Sequence, residues 1–599
     1  MQNEQLEIKR HSAAHLVAAA VREMYPAAKF GVGPVVENGF YYDIDFPENI
    51  NEADLEKIEN KVRELAGKNI AFVRKEMSLD EGVKLFSDLG QVYKVELLND
   101  LKERGTTKMD ESEKQDVGES VENISVYETG NFVDLCRGPH INNTSELNLD
   151  GFKLMRLAGA YWRGKNTNPQ LQRIYGVYFE TKAELDEYLH FLEEAEKRDH
   201  RKIGQDQELF FFDERVGKGL TMWLPNGTII RNEIERLAIE FEQAAGYMRV
   251  RTPHLAKEEM YLTSGHLPYY KDGMYPPMVM DDGTYYLKAM NCPHHHTMYN
   301  FKPHSYRDLP IRFAEYGECY RNELSGTLAG LLRVRCLAMN DAHMYCRKDQ
   351  IKDEFKGVME MIMKYFEIFG LKDYWFRLSK WSPDHLEKYI NEPENWEYAE
   401  GMIREVLQEM KVKFIEVEDE AAFYGPKVDV QFKSIVGREE TMSTIQLDFA
   451  AKQRFGLKYT DAEGKENGEV FVIHRAPLST HERFLAFLIE HFGGVWPVWL
   501  SPVQVMLAPV ADKHIAGAKE LAKDFVAAGI RVEVDEASET VGNKVRKAAG
   551  RKIPYIVVVG DKEISGEPWM IRVRGQEEQM KMAKEEFVEK VKKEIKERM

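Results

Sequence analysis

Residues 313–335 read FAEYGECYRNELSGTLAGLLRVR and predict two strands joined by a loop. Apolar and aromatic residues lie at both ends, and the polar, glycine-containing segment between them predicts the turn. Arg321 and Glu323 lie before this turn, and Arg333 and Arg335 lie after it. Because a guanidinium is planar and permanently charged, arginines that converge from a hairpin suit the binding of a polyphosphate. On this motif alone, a solvated basic hairpin explains the pattern equally well.

The hairpin lies within a long segment, residues 205–500, that contains several strand-length runs, such as RVRCLAMNDAHMYC and EVFVIHRAP. These runs lack the regular strand and helix alternation of a parallel doubly wound sheet, so we predict a mostly antiparallel sheet. No GxxxxGK[ST] motif occurs, and Gly31-Val32-Gly33 lacks the third glycine of a dinucleotide fingerprint. Any ATP site must therefore be built without a glycine-rich loop.

The pattern changes on both sides of this segment. Residues 1–180 mix helical and strand-like runs and predict an α+β domain, in which residues 105–123 predict a surface loop. Residues 181–204 are strongly charged with apolar residues on one helical face, which predicts a helical connector. Residues 501–599 alternate strands and helices and predict a small α/β module.

Composition sets the protein class. A chain of 599 residues predicts three or four domains, and 43% hydrophobic with 30% charged residues is typical of globular proteins. We find no signal peptide and no apolar run of about 18 residues, which argues against secretion and membrane spanning. Five cysteines are few for this length, which favours a reducing compartment and a cytoplasmic location. The net charge is −18, whereas residues 501–599 hold 19 Lys and Arg against 17 Asp and Glu.

A metal site is one hypothesis from the scattered residues Cys292, His343 and His474. One Cys and two His suit Zn²⁺, and three protein ligands leave a fourth position open to substrate. The spacings are too long for a zinc finger, and satisfied core histidines are the simpler interpretation of spacing alone. The consecutive His294, His295 and His296 are rival ligands.

A second cluster comes from HSAAH, residues 11–15, and CRGPH, residues 136–140. In each segment the two chemically active residues are four positions apart, which lets them share a helix face or close a turn. Together they offer three imidazoles and a thiol for hydrolytic or metal chemistry. Ser12 stands where an HExxH metalloprotease needs glutamate, so the protease interpretation is excluded.

Taken together, these segments resemble the threonyl-tRNA synthetases, a family of class II aminoacyl-tRNA synthetases, over essentially the whole chain. HSAAH and CRGPH resemble the editing-site pair, FAEYGECYRNE with GLLRVR resembles the motif 2 hairpin, and HRAPLSTHERF resembles motif 3. AFYGPKVDV, STIQLDF and LAGAYWRG also read like family segments. The resemblance implies an N-terminal α+β editing domain (1–180), the connector (181–204), an antiparallel class II catalytic core (205–500) and a C-terminal α/β anticodon-binding domain (501–599).

The resemblance also implies a role for each matching residue. Arg321 and Arg483 would clamp the ATP phosphates, and Glu323 would meet the adenine amino group. Asp341 would accept a hydrogen bond from the threonine hydroxyl, and Tyr424 would lie near the substrate amino group. The remaining implied residues line the ATP and adenylate site (Arg333, Lys427, Gln446), bind zinc (Cys292, His343, His474), edit (His11, His15, Asp134, Cys136, His140) and contact the anticodon (Glu563, Arg572).

The implied activity is ligation of L-threonine to tRNA(Thr), using ATP with Mg²⁺ and one Zn²⁺ per subunit. Valine lacks the hydroxyl that this site would bind, so it is rejected at synthesis. Serine lacks only a methyl group, a difference worth about 1–3 kcal/mol, so a second site that hydrolyses Ser-tRNA(Thr) without a metal is expected. The family also implies a homodimer that pairs around GYMRVRTPHLA, residues 246–256.

Some features depart from the family pattern, and rival hypotheses remain. The family's small ubiquitin-like N-terminal domain is expected to be missing, and His294, Met339 and His481 replace residues that are more usual in the family. A prolyl- or seryl-type class II synthetase would share the hairpin and motif 3 but would have no reason to hold all three zinc ligands. Outside the synthetases, the rival hypotheses are a regulatory RNA-binding paralogue and a free-standing editing hydrolase.

Overall fold

The computed structural model describes residues 2–104, 123–165, 167–385, 388–434, 437 and 439–599. The surface loop predicted at 105–123 lies outside these residues except for its last position. The chain divides into two compact units, Met1–Glu193 and Glu194–Met599. The finer boundaries at residues 180, 204 and 500 stay predictions.

The first unit is an α+β domain, as predicted. Its helices are α1 (Gln2–Met24), α2 (Glu52–Ala66), α3 (Leu79–Asp88), α4 (Val92–Arg104) and the start of α5 (Lys182–Lys197). Its strands are β1 (Lys29–Phe30), β2 (Val35–Val36), β3 (Gly39–Asp45), β4 (Phe72–Ser78), β5 (Asn123–Thr129), β6 (Phe132–Leu135), β7 (Phe152–Tyr161) and β8 (Gln170–Tyr178).

Two antiparallel sheets surround helix α1 in this unit. One has the strand order β1–β3–β8–β7 with β2 paired to β3, and the other has the order β4–β5–β6. Residues 12–21 of α1 are buried and rich in alanine, which lets the sheets approach the helix closely. This packing sets α1 against β6, so His11 and His15 face the strand that leads to Cys136.

The second unit begins with α6 (His200–Asp206) and contains a long run of strands and helices. Up to the end of the motif 2 hairpin, its elements are β9 (Phe210–Phe211), β10 (Met222–Trp223), α7 (Pro225–Ala244), β11 (Met248–Arg249), β12 (Leu255–Lys257), α8 (Glu258–Ser264), α9 (His266–Tyr269), β13 (Met278–Met280), β14 (Gly283–Leu287), α10 (Cys292–Tyr299), β15 (Ile311–Tyr320) and β16 (Cys336–Cys346). The next elements are α11 (Ile351–Ile368), β17 (Tyr374–Ser379), α12 (Pro393–Glu409), β18 (Phe414–Val417), β19 (Lys427–Lys433), β20 (Glu439–Asp448), α13 (Ala451–Phe455), β21 (Tyr459–Thr460), β22 (Glu466–Asn467), β23 (Phe471–Ala476) and α14 (His481–Phe492).

The central sheet has the strand order β11–β15–β16–β23–β20–β19–β17–β18. The pairs from β15 to β17 are antiparallel and the two outermost pairs are parallel, so the predicted mostly antiparallel sheet is confirmed. The register places His343 of β16 opposite His474 of β23, and His474 opposite Gln446 of β20. The central strands thus bring residues from distant parts of the chain to one place.

The last hundred residues form the predicted α/β module. Its elements are β24 (Val505–Pro509), α15 (Ile515–Ala527), β25 (Val532–Val534), α16 (Val541–Gly550), β26 (Tyr555–Val559), α17 (Asp561–Ser565), β27 (Trp569–Val573), β28 (Met580–Met582) and α18 (Lys584–Glu597), and its sheet order is β25–β24–β26–β27–β28. The run PYIVVVGDKEI, which reads as one strand, ends as the short helix α17, because Glu563 accepts a hydrogen bond from the Gly560 N–H and caps it.

This module is joined to the rest of its unit by contacts of two half-buried arginines. Arg531 donates to the carbonyls of Ser501 and Trp499 and pairs with Glu233 of α7 at 2.9 Å. Arg574 donates to the Trp496 carbonyl at 2.6 Å. The guanidinium groups therefore connect the module to the backbone around residues 496–501 and to a side chain of α7.

The charged segment that reads as one connector helix is two helices, α5 and α6. The break falls at Asp199, whose carboxylate accepts a hydrogen bond from the Arg201 N–H and starts the second helix. Nowhere in the residues that the structure describes is there a helix with the length and apolar character needed to cross a bilayer.

An ion pair lies inside the core of the second unit, between Arg475 of β23 and Glu242 of α7. Their side chains are fully buried, with Arg475 Nη2 at 2.9 Å from Glu242 Oε1. Asn340 completes the group, since its amide donates to Glu242 and its carbonyl accepts from Arg475. Removing one partner of such a pair leaves an uncompensated charge in the interior.

We expect Glu242→Ala to lower the free energy of unfolding of the second unit by about 3–5 kcal/mol, because Arg475 would stay buried without its partner. The measurement is the denaturant midpoint followed by tryptophan fluorescence. Glu463→Ala is the control, since it removes a partner of Lys465 at 3.0 Å on the surface and should change the midpoint far less. Equal shifts in both variants would contradict the expectation.

Candidate functional sites

A cleft of about 740 Å³ lies in the second unit beside the central sheet. It is lined by residues from β15, β16, β20, β23 and the start of α14. All but one of the residues predicted for the synthetic site lie along it, namely Cys292, Arg321, Glu323, Arg333, Asp341, His343, Tyr424, Gln446, His474 and Arg483. The sequence-predicted synthetic site is therefore one contiguous cavity.

The hairpin between β15 and β16 carries the cationic side of this cleft. Arg333 Nε donates to Glu323 Oε2 at 2.9 Å, and Arg335 Nε donates to the Glu323 carbonyl at 2.9 Å. The Nε of Arg321 is buried and has no hydrogen-bond partner among the described residues. Burial lowers the pKa of Arg483, and the nearby charges of Arg321 and Arg333 lower it further. Cations held together in this way favour an anionic ligand.

Three potential metal ligands meet along the same cleft. Cys292 begins α10, and His343 and His474 face each other across β16 and β23. One donor atom from each residue lies within 4.8 Å of the other two. Burial, together with the carboxylates of Asp341 and Asp448, raises the pKa of Cys292 well above its ordinary value. A bound cation is what would hold this sulfur as thiolate, so the donor set fits Zn²⁺.

Further polar groups line the cleft near these three residues. Asp341 lies two residues before His343 on the same face of β16, and its carboxylate accepts a hydrogen bond from the Asn291 amide at 2.9 Å. The Tyr424 hydroxyl donates to Gln446, and the Tyr424 ring stacks near His474 with centroids 5.6 Å apart. These contacts hold Tyr424, Gln446 and His474 beside one another.

Lys427 is the exception among the predicted synthetic-site residues. It pairs in register with Gln446, but its ammonium lies 3.2 Å from Asp429 and the side chain does not line the cleft. Asp429 also binds Arg377 at 3.0 Å. Lys427 is thus held beside the cleft by a carboxylate that it shares with an arginine.

The three consecutive histidines after Pro293 have different surroundings. His294 is buried, and neither ring nitrogen has a hydrogen-bond partner among the described residues. Both ring nitrogens of His295 are engaged, one by His343 and one by Glu315. His296 meets the Tyr345 hydroxyl at 3.0 Å and also forms a group with Asp448 and His474 whose ligand atoms lie within 4.8 Å of one another.

The second cluster forms in the first unit, where α1 meets the loop after β6. His11, His15, Cys136 and His140 each place one donor atom within 4.8 Å of the others, next to a cleft of about 590 Å³. The loop depends on Gly138, which has a φ of +72° and lies so close to Tyr127 that a Cβ would be 2.3 Å from its hydroxyl. HSAAH therefore forms a helix face, and CRGPH a loop that turns back onto it.

Hydrogen bonds set the protonation of this cluster. Cys136 Sγ lies 3.4 Å from Nε2 of both His11 and His140, and it accepts a hydrogen bond from the Gly138 N–H at 3.3 Å. The Ser12 hydroxyl donates to the Ile8 carbonyl at 2.8 Å, so it must accept from Nδ1 of His140, 3.0 Å away. Nε2 of His140 is then free to accept the thiol proton of Cys136.

The cluster is electrically neutral. Burial raises the pKa of the Cys136 thiol to about 11. Burial, followed by the nearby rings of His15 and His11, lowers the pKa of His140 to about 2. Burial also lowers the pKa of His11 and, more strongly, that of His15. At neutral pH the site therefore offers neutral imidazoles and a thiol.

Two residues of this site were missed in the sequence. Asp134 was predicted, but its partners Lys94 of α4 and Tyr42 of β3, both buried, were not. His15 Nε2 lies 3.4 Å from the same carboxylate. The three partners come from separate elements and share no motif, so no local pattern could have identified Lys94 or Tyr42.

The predicted anticodon residues lie in the C-terminal module. Glu563 lies in the first turn of α17, where its carboxylate accepts from the Gly560 N–H, and Arg572 is exposed on β27 in register with Ile556 of β26. The side chain of Arg572 is therefore accessible, whereas the carboxylate of Glu563 has a structural hydrogen bond.

Comparison with protein families matches three parts of the chain. Residues 278–492 match the tRNA synthetase class II core domain (G, H, P, S and T). Residues 504–594 match an anticodon binding domain. Residues 124–175 match the threonyl and alanyl tRNA synthetase second additional domain. The three matches follow the order expected from the resemblance and confirm the mixed, multidomain fold class.

Individual relatives cover nearly the whole chain. A threonine–tRNA ligase of Geobacillus sp. is 47% identical over 593 residues, which is 99% of this chain and 89% of the relative. Threonine–tRNA ligase 1 of Bacillus subtilis is 47% identical over 98% of this chain and 88% of its own length. The crystal structure titled as the RNA binding domain of threonyl-tRNA synthetase from Cryptosporidium parvum superposes with a TM-score of 0.63 at 31% identity, over 66% of this chain and 98% of that one. From the motifs, the fold and these relatives together, the chain belongs to the threonine–tRNA ligase family of class II aminoacyl-tRNA synthetases.

Proposed function

We propose that the chain joins L-threonine to tRNA(Thr) in the cleft of the second unit and hydrolyses Ser-tRNA(Thr) at the cluster of the first unit. The observation that carries the proposal is the meeting of Cys292, His343 and His474 in the same cavity as Arg321 and Arg483. This combination of a metal-ligand triad and a phosphate-binding face fits activation of an amino acid that carries a hydroxyl.

ATP binds along the arginine face in this proposal. Arg321 and Arg483 clamp its phosphates, whose charge Mg²⁺ would also neutralise, and Glu323 meets the adenine amino group from its place between Arg333 and Arg335. Arg333 and Gln446 line the nucleotide, while Lys427 would have to leave Asp429 to reach it. Positioning and charge stabilisation then carry the rate as the threonine carboxylate attacks the α-phosphorus.

Threonine binds in the same cleft beside Cys292, His343 and His474, which would hold Zn²⁺. The ion would supply a Lewis acid that takes the amino group and the hydroxyl of threonine. The carboxylate of Asp341 accepts the hydroxyl hydrogen, and Tyr424 lies near the amino group. Valine would leave these polar groups unpaired in a buried site, which is why it is rejected.

Hydrolysis of serine from the tRNA takes place in the first unit. His11, His15, Asp134, Cys136 and His140 are the proposed residues, and their neutral state suits transfer of a proton to and from an attacking water. Lys94 and Tyr42 hold the Asp134 carboxylate in place. The Cys136 thiol acts as a hydrogen-bonding group and not as a nucleophile, since its pKa is about 11.

The remaining parts of the proposal concern partners and location. Glu563 and Arg572 contact anticodon bases, with the exposed Arg572 suited to unstacked bases. Residues 246–256, which include β11, pair two chains into a homodimer. The domain limits are those expected from the sequence, at residues 180, 204 and 500. A function in translation and the small number of cysteines favour the cytoplasm.

We expect Cys292→Ser to lose bound zinc and most of the threonine-dependent ATP–pyrophosphate exchange, because the metal site would lose its thiolate. The measurement combines metal content by mass spectrometry with exchange assays on threonine, serine and valine. Cys346→Ser is the control, because Cys346 lies on the same strand as His343 but outside the triad. It is buried, and the hydrogen bond described for its thiol goes to the Phe471 carbonyl. The wild-type chain should carry one zinc and activate threonine well, serine less and valine negligibly. A zinc-free wild type or a fully active Cys292→Ser variant would overturn this assignment.

We expect His11→Ala to reduce hydrolysis of Ser-tRNA(Thr) by at least about 100-fold while threonine-dependent exchange stays within twofold, since general acid–base groups contribute on the order of 10²–10⁴. The measurement is deacylation of preformed Ser-tRNA(Thr) beside the exchange assay. His190→Ala, a change of another histidine in the first unit, is the control. Equal loss of both activities in the His11 variant would contradict separate sites.

We expect the alkylation rate of Cys136 to rise about tenfold per pH unit from pH 8 to pH 10, because its thiolate fraction keeps growing until the pH passes its raised pKa of about 11. A thiol with an ordinary pKa would level off above about pH 8.5. Iodoacetamide labelling followed by peptide mass spectrometry measures the rate. A plateau near pH 8 would indicate a reactive thiolate and contradict the structural role given to this cysteine.

A further inference from the structure

A chain of buried hydrogen bonds leads from the segment after β11 to the triad. Lys288 Nζ donates to the Thr252 hydroxyl at 2.8 Å, and that hydroxyl donates to Glu315 Oε1 at 2.7 Å. The Thr252 N–H donates to the other carboxylate oxygen at 3.1 Å. Glu315 Oε1 then meets Nε2 of His295 at 3.1 Å, and Nδ1 of His295 meets Nδ1 of His343 at 2.8 Å. The two imidazoles and the carboxylate are buried, with exposed fractions of 0% for His295, 1% for His343 and 3% for Glu315.

The hydrogen-bonding capacity of these groups permits one proton arrangement when His343 binds a metal. Nδ1 of His343 is occupied by His295, so Nε2 is the atom left to ligate, and it must be free of a proton. Nδ1 of His343 therefore carries the proton and donates it to Nδ1 of His295. His295 then carries its own proton on Nε2 and donates it to Glu315. With the opposite arrangement, a proton would lie on the nitrogen that faces the metal.

We infer that Thr252, Glu315 and His295 are positioning residues, which fix the tautomer and ring orientation of His343 as a metal ligand. The inference rests on the zinc site in the proposed function and adds residues to it. The sequence offers His295 as a rival ligand. Both of its ring nitrogens are engaged by His343 and Glu315, so it has no nitrogen left for an ion and takes a different role. The series of hydrogen bonds orients one residue of the triad, His343, and His295 acts through it.

The other histidine of the triad has a simpler version of the same support. Nε2 of His474 lies 3.1 Å from Oδ2 of Asp448, so a carboxylate contacts this histidine directly. At His343 the carboxylate of Glu315 acts through one intervening imidazole. Partners of this kind typically change metal affinity by about 10- to 100-fold when they are removed.

The test is zinc release from the purified, zinc-loaded chain after addition of excess chelator, followed with a colorimetric zinc indicator. We expect Glu315→Gln and His295→Leu to release zinc about 10- to 100-fold faster than the wild type. His295→Asn should recover part of this loss, because its amide oxygen can stand in for Nδ1 and accept from His343. Thermal unfolding of each variant shows whether it is folded. If His295→Leu does not fold, Glu315→Gln still tests the inference, because glutamine has nearly the same shape as glutamate.

Glu490→Gln is the matched control. Glu490 forms another buried glutamate–histidine pair, with His200 at 2.8 Å, in the same unit but apart from the triad. This variant should release zinc at the wild-type rate. One result would overturn the positioning role but not the metal site. Both Glu315→Gln and His295→Leu would release zinc at the wild-type rate, while Cys292→Ser could not hold zinc. A wild-type chain that holds no zinc would overturn the metal site and the positioning role together.

Discussion

The antiparallel pairing of β16 with β23 is the constraint on which the catalytic cleft depends. Side chains alternate between the two faces of a strand, so this register sets His343 opposite His474 and keeps Asp341 on the same face. A slip by one residue would turn Asp341 and His343 away from the cleft. The pairing is reinforced by Arg475, next to His474, which contacts Asn340 of β16 and Glu242 of α7 in this register.

The sequence made the hairpin arginines and the triad predictable, although for different reasons. Arg321 and Arg333 lie close together in the chain around one turn, so local pattern sufficed to bring them together. The triad is spread over residues 292–474, so residue type offered it only as one hypothesis beside core histidines, and the resemblance to a family was needed to favour it. Partners such as Asn291, Glu315 and Lys94 belong to no motif, because long-range strand pairing and helix packing alone bring them to their sites.

The run of three histidines shows a physical limit of prediction from spacing. Successive residues on a helix point about 100° apart, so His294, His295 and His296 leave α10 in three directions. One lies in the interior without a hydrogen-bond partner among the described residues, one supports His343 and one meets Tyr345. Identical side chains at adjacent positions therefore have three different environments, which depend on the strands that pack against the helix.

The arginine contacts of the C-terminal module have a consequence for the RNA. Arg531 and Arg574 bind main-chain carbonyls around residues 496–501, and Arg531 also reaches helix α7. Contacts at several points restrain the separation between the exposed side chains of β27 and the cleft beside the central sheet. In the proposed function, a tRNA engages both surfaces at once only if its anticodon and its acceptor end are spaced to match that separation, so the length of the RNA is tested beside its bases.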